Sequence, residues 1–104
     1  MNREELLQEI GTAVRGLEPE AEIVLYGSRS RGEAAPESDW DLLVLLDGPV
    51  NDERTDRIRH RLYEIEWENG QVISSIVRSR DDWNAGFYRD MPFRKAVEQE
   101  GIRL

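Results

Sequence analysis

The chain contains no cysteine, which removes disulfides, thiolate metal sites and cysteine nucleophiles from the chemistry open to it. Its one histidine, His60, has no second histidine or cysteine to join it, so we read it as an exposed polar residue without a role. Positive charge is also in short supply, with 14 Lys+Arg against 22 Asp+Glu and a formal charge of -8. Such a surface repels a phosphate backbone, which disfavours nonspecific nucleic-acid binding but not a small anionic substrate. Long hydrophobic runs are missing too. No window approaches the length that spans a bilayer, and the N-terminal Met1-Asn2-Arg3-Glu4-Glu5-Leu6-Leu7 has no apolar stretch behind a basic segment. We therefore expect a cytoplasmic protein with no membrane association. There is no internal repeat and no low-complexity tract. At 104 residues a single domain over residues 1–104 is expected, with one core and no separate substrate domain.

What is present is a clear alternation of periods. Leu6, Leu7, Ile10, Val14 and Leu17 recur at three- and four-residue steps, which predicts a helix from Arg3 to Leu17, ended near Gly16 and Pro19. The apolar run Ile23, Val24, Leu25 predicts a buried strand over Glu22 to Tyr26, stopped by Gly27. Residues Ser30 to Ala34 suit one helical turn, and Ala35, Pro36, Glu37 and Ser38 a polar loop. A second strand is expected from about Asp39 to Leu46, broken by Gly48-Pro49. Asn51 or Asp52 can cap a helix whose inward face is Ile58, Leu62 and Ile65 and which Asn69-Gly70 closes. Gln71 to Val77 reads as a third strand. Ser79 with Asp82 three residues on caps a short helical segment, and Met91-Pro92 starts a last helix that Gly101 ends. The expected fold class is α/β (α+β), a small mixed sheet with helices packed on it.

Chemistry concentrates in Tyr26-Gly27-Ser28-Arg29-Ser30-Arg31-Gly32 and Ser38-Asp39-Trp40-Asp41. Side chains alternate along a strand, so Asp39 and Asp41 point to one face and Trp40 to the other, toward the core. Two converging carboxylates suit a hard cation such as magnesium, which takes one or two carboxylates plus substrate phosphates and keeps several waters. Glycine allows a phosphate to approach the backbone, the Ser28 hydroxyl and the turn amides donate to it, and a helix start adds partial positive charge. Arg29 or Arg31 could add a charged contact, or pair with Glu33 and Glu37 as loop charges.

Gly27-Ser28, ten intervening residues and then Asp39-x-Asp41 in an apolar strand resembles the signature of the minimal nucleotidyltransferases, small members of the DNA polymerase β-like superfamily. The likeness is close from Ile23 to Leu46; elsewhere it rests on element order, size and the ending Glu100-Gly101-Ile102-Arg103-Leu104. Either half of the motif is common alone, but both at this spacing, each on a predicted strand, form a specific signal. The resemblance implies a polymerase β-like nucleotidyltransferase fold, nucleotide contacts from Gly27, Ser28 and Arg31, and one or two Mg2+ ions on Asp39 and Asp41 as the catalytic pair. It also implies a nucleoside triphosphate substrate, with ATP favoured, and an antitoxin that modifies a HEPN-domain toxin protein.

One departure limits the transfer. Members of this superfamily usually carry a third carboxylate on a neighbouring strand, where this chain reads Gln71-Val72-Ile73-Ser74-Ser75-Ile76-Val77. Ser74 or Ser75 takes that place, and a neutral hydroxyl is a weak metal ligand and no general base near neutral pH. Asp47 lies about 20 Å along the strand, too far to substitute, and Glu64, Glu66 and Glu68 read as a solvated helical face. Two readings therefore stand: a magnesium-dependent enzyme that moves AMP from ATP onto a partner's hydroxyl, and a degenerate binding module that neutralises its partner by contact. An antibiotic-modifying transferase is disfavoured because there is no room for the usual extra domain. Trp83, Phe87, Tyr88 and Phe93 suit either a base-stacking or partner surface or, more often, packing of the helical tail on the sheet.

Overall fold

The computed structural model describes residues 2–32 and 37–104; the predicted loop positions Ala35 and Pro36, and the end of the predicted helical turn, lie outside them. Helix α1 spans Arg3–Leu17 and is capped by Asn2, whose side chain accepts from the Glu5 amide at 2.9 Å. Strand β1 (Glu22–Tyr26) follows, then a four-residue helix α2 (Ser28–Arg31) and strand β2 (Trp40–Leu46). Helix α3 (Asp52–Asn69) takes Asn51 as its cap, not Asp52, with the Arg54 amide 2.8 Å from the Asn51 side chain. Strand β3 (Ile73–Ser79), helices α4 (Arg80–Asn84), α5 (Gly86–Arg89) and α6 (Pro92–Glu100), and strand β4 (Ile102–Arg103) complete the chain.

The sheet has the order β3-β2-β1-β4 and is mixed, as expected: β2 and β3 run parallel, and β1 is antiparallel to β2 and β4. Helices cover both faces. Alternate residues of β2 feed two separate cores, Trp40, Leu42, Val44 and Leu46 facing α1 and α3, and Leu43 and Leu45 facing Trp83 of α4 and Val97 of α6. Coverage on both sides explains why β2 is a continuous apolar run interrupted only at Asp41. The first core takes Leu6, Ile10 and Val14 from α1 and Ile58, Leu62 and Ile65 from α3, as their periodicity predicts. Leu17 differs: in the last turn of α1 it is 38% exposed and borders a shallow groove with Arg57 and His60.

Four further details depart from the sequence reading. Helix α2 starts at Ser28, two residues early, because the Gly27 carbonyl already accepts from the amides of Ser30 and Arg31 at 3.1 and 3.4 Å. β3 begins at Ile73, since Gln71 turns its side chain to the Trp40 indole nitrogen at 2.9 Å, and extends to Ser79, whose hydroxyl then caps α4 through the Asp82 amide at 3.0 Å. α5 and β4 are absent from the sequence reading. β4 forms because α6 carries the chain back alongside β1, where Leu25 pairs with Ile102. Gly101 permits that return: a Cβ there would stand 2.5 Å from Cγ1 of Val24 and collide with the Val97 carbonyl oxygen.

The junction of α1, β2 and α3 is held by a half-buried ion pair. Arg54 grips Glu18 with Nη2 to Oε1 at 2.6 Å and Nε to Oε2 at 3.0 Å, while its Nη1 donates to the carbonyls of Asp47 and Pro49 at 2.9 and 2.8 Å. The Arg54 hydrogen bonds, opposed by burial and aided by the charge of Arg54, hold the Glu18 carboxyl below its usual value.

Candidate active site

The ladder between β1 and β2 places Tyr26 opposite Asp41, so the residue after Tyr26 arrives beside the carboxylate. Gly27 has φ 77° and ψ -160°, a conformation open essentially to glycine alone. Space gives a second reason for glycine, because a Cβ at this position would lie 2.6 Å from Oδ2 of Asp41. The turn beyond is tied down by Ser30, whose Oγ donates to the Gly27 carbonyl at 2.7 Å. Ser28 opens α2, next to this contact.

The parallel ladder between β2 and β3 sets Asp41 opposite Ser74 and Leu42 opposite Ser75. Ser74 therefore shares the carboxylate face, and its Oγ donates to Oδ2 of Asp39 at 3.0 Å. The choice between the two serines, open in the sequence, falls to Ser74. Asp39 is exposed and precedes the ladder by one residue, whereas Asp41 is half-buried. Burial first, and the charge of Asp39 second, push the Asp41 carboxyl above its usual value. Burial and then Asp41 likewise raise the Tyr26 phenol. Two neighbouring carboxylates, one of them with a glycine backbone pressed against it, make a site suited to a cation.

Both arginines of the turn have defined partners. Arg29 donates from Nε and Nη2 to the Ser38 carbonyl at 3.1 and 2.9 Å and lies over the Trp40 ring, 4.4 Å from its centroid. Arg31 pairs with Glu100 of α6 at 2.8 Å. The acids considered as stand-ins for the missing carboxylate have other neighbours: Glu66 accepts from the Ile73 amide at 2.9 Å, and Asp47 pairs with Arg80 at 2.7 Å. Glu64 and Glu68 border separate grooves, and among the described residues no three His, Cys, Asp or Glu side chains cluster to hold a metal. The two aspartates fit a cation that completes its shell with substrate oxygens and water, not one caged by protein.

Most of the tail aromatics pack inward. Trp83 is buried, Tyr88 and Phe93 lie against the second core, and Phe93 meets Tyr26 edge-on at 5.4 Å. Phe87 alone of these four is strongly exposed, at 75%. The sequence reading placed Tyr26 at the head of the motif without a role; the ladder sets it opposite Asp41.

Gly27, Asp39, Asp41 and Ser74 thus meet at one end of the sheet, and residues 7–101 match the family described as Nucleotidyltransferase domain. The chain belongs to that family. Relatives within it include the bifunctional uridylyltransferase/uridylyl-removing enzymes of Chromobacterium violaceum, 34% identical over 68 residues, and of Pseudomonas entomophila, 37% identical over 60 residues. These matches cover 65% and 58% of this chain but only 8% and 7% of the relatives, so the chain spans a small part of their length. A solved toxin-antitoxin structure with AMP-PNP shares the nucleotidyltransferase fold at a TM-score of 0.63 and 17% identity, covering 98% of this chain and 72% of that one. Among the described residues, no helix is long and apolar enough to cross a membrane.

Proposed function

We propose that the chain is a magnesium-dependent nucleotidyltransferase that moves AMP from ATP onto a hydroxyl of a partner protein, as the antitoxin of a HEPN-type toxin pair. The observation that carries this reading is Gly27 pressed against the Asp41 carboxylate with Asp39 beside it. The toxin-antitoxin neighbour with AMP-PNP supports a nucleotide ligand and a toxin as the partner. Asp39 and Asp41 would hold the cation, and Gly27, Ser28 and Arg31 would receive the triphosphate. A bound magnesium ion supplies neutralisation of charge on the phosphate oxygens. The acceptor oxygen bonds to the α-phosphorus, the bond from that phosphorus to the bridging oxygen breaks, and pyrophosphate leaves. The acceptor's proton passes to water, because the Ser74 hydroxyl is no base near neutral pH.

Ser74 also favours a second reading, a nucleotidyltransferase-fold binding module that retains the site but neutralises its partner by contact. Labelled ATP or UTP, magnesium and the product of the adjacent open reading frame discriminate the two. Label on that partner, lost in Asp39→Asn, supports the enzyme. No label on any protein, together with inhibition of the partner by the Asp39→Asn/Asp41→Asn variant, establishes the binding module instead.

A further inference from the structure

Two side chains hold Asp39: the Ser74 hydroxyl donates to its carboxylate at 3.0 Å, and Arg29 acts on the residues to either side of it. The residue itself lies one position before the β2 ladder and is exposed, so strand pairing reaches only its C-terminal peptide, whose Trp40 amide donates to the Val72 carbonyl. Arg29 supplies the restraint on the N-terminal peptide. Its two donors fork onto the carbonyl of Ser38, which is bonded directly to the Asp39 nitrogen, and its guanidinium carbon lies over the Trp40 ring, 4.4 Å from the centroid, on the other side. Trp40 is in turn immobile, being buried in the first core with its indole nitrogen on Gln71 and its amide on the Val72 carbonyl at 2.8 Å. Arg3 completes the arrangement by donating from Nη1 to the Arg29 carbonyl at 2.6 Å.

We propose that Arg29 is a positioning residue, which uses the Ser38 carbonyl and the Trp40 ring to aim the Asp39 carboxylate at the cation. The inference rests on the reading of Asp39 and Asp41 as cation ligands. It assigns Arg29 to the carboxylates and not to the triphosphate, although the residue belongs to the phosphate turn by sequence. Partners that orient a ligand, without touching the metal, typically account for about 10–100-fold in metal affinity.

The test measures Mn2+ affinity of the full chain at saturating AMP-PNP by electron paramagnetic resonance, and AMP-PNP affinity in EDTA by calorimetry. Arg29→Gln is expected to weaken Mn2+ by about 10–100-fold and to leave AMP-PNP binding in EDTA unchanged. Arg29→Lys keeps the charge without the planar fork, and is expected to recover only part of the Mn2+ affinity. Wild-type Mn2+ affinity in Arg29→Gln, or loss of AMP-PNP binding in EDTA, overturns the inference. Should circular dichroism show Arg29→Gln unfolded, Arg29→Lys decides: partial loss of Mn2+ supports the role, and wild-type affinity overturns it. Failure of the wild type itself to bind Mn2+ with AMP-PNP overturns the proposed function and this inference together.

Discussion

Gly27 and Asp41 are packed so closely that a single added methyl on the first would stand 2.6 Å from a carboxylate oxygen of the second. Gly27→Ala must therefore displace Asp41 while adopting a backbone conformation that costs about 1–3 kcal/mol for a residue with a Cβ. We expect a lower melting temperature and loss of AMP-PNP binding, measured by thermal denaturation and calorimetry. Wild-type binding in a folded Gly27→Ala protein would show that the turn does not receive the nucleotide.

Asp41 is held at a cost to the fold. Its carboxyl is raised above the usual 3.8 by burial and by Asp39, so the folded state holds that proton more tightly than the unfolded chain. The linkage sign follows: stability falls as pH rises from 3.8 through the folded value, and stays lower above it. Asp41→Asn is expected to remove this decline and to stabilise the metal-free protein by about 0.5 kcal/mol, roughly 2–4 °C, while abolishing Mn2+ binding. Urea denaturation across pH checks the first point, and a destabilised Asp41→Asn protein would contradict it.

Ser74 stands within 3.0 Å of Asp39, so Ser74→Asp would supply the absent third carboxylate without moving the backbone. A general base there contributes about 10²-fold or more to transfer, and we expect at least that gain in labelled product over wild type. The same change should lower metal-free stability, because three carboxylates then repel one another. Equal or lower transfer in a folded Ser74→Asp protein would indicate that the serine is not what limits turnover.

Arg54 joins the end of α1 to the loop entering α3 through Glu18 and two carbonyls. Arg54→Met leaves these acceptors without their donor and is expected to cost about 2 kcal/mol. Since Arg54 holds Glu18 below its usual 4.5, the part of the wild-type advantage that Glu18 carries is complete above 4.5 and is lost as pH falls through the lower folded value, while the bonds to the Asp47 and Pro49 carbonyls remain. The gap between urea melts of wild type and Arg54→Met should therefore narrow in acid without closing. A constant gap down to the acid limit would place the contribution in the carbonyl bonds and packing instead.

The elements legible in the sequence are those whose signal is local. The period of Leu6, Ile10 and Val14 in α1 and of Ile58, Leu62 and Ile65 in α3 is a property of each helix alone, and each set is buried. Gly27 and Asp39-x-Asp41 were readable because turn chemistry and strand parity also act over a few residues. Choosing Ser74 over Ser75 needed the register of two strands more than thirty residues apart, Asp41 against Ser74, which no local pattern encodes. The partners of Arg29 and Arg31, and the two-residue β4, depend in the same way on tertiary placement.

That register has a consequence for the connection between the two halves of the site. Gly27 and Asp41 are set side by side by the antiparallel pairing of β1 and β2, from Glu22 against Leu45 to Tyr26 against Asp41. A slip of that pairing by one residue would turn Asp41 to the opposite face of the sheet and part it from the glycine. The backbone hydrogen bonds of two strands, and not the side chains of the site, are therefore what keep the turn and the carboxylate together.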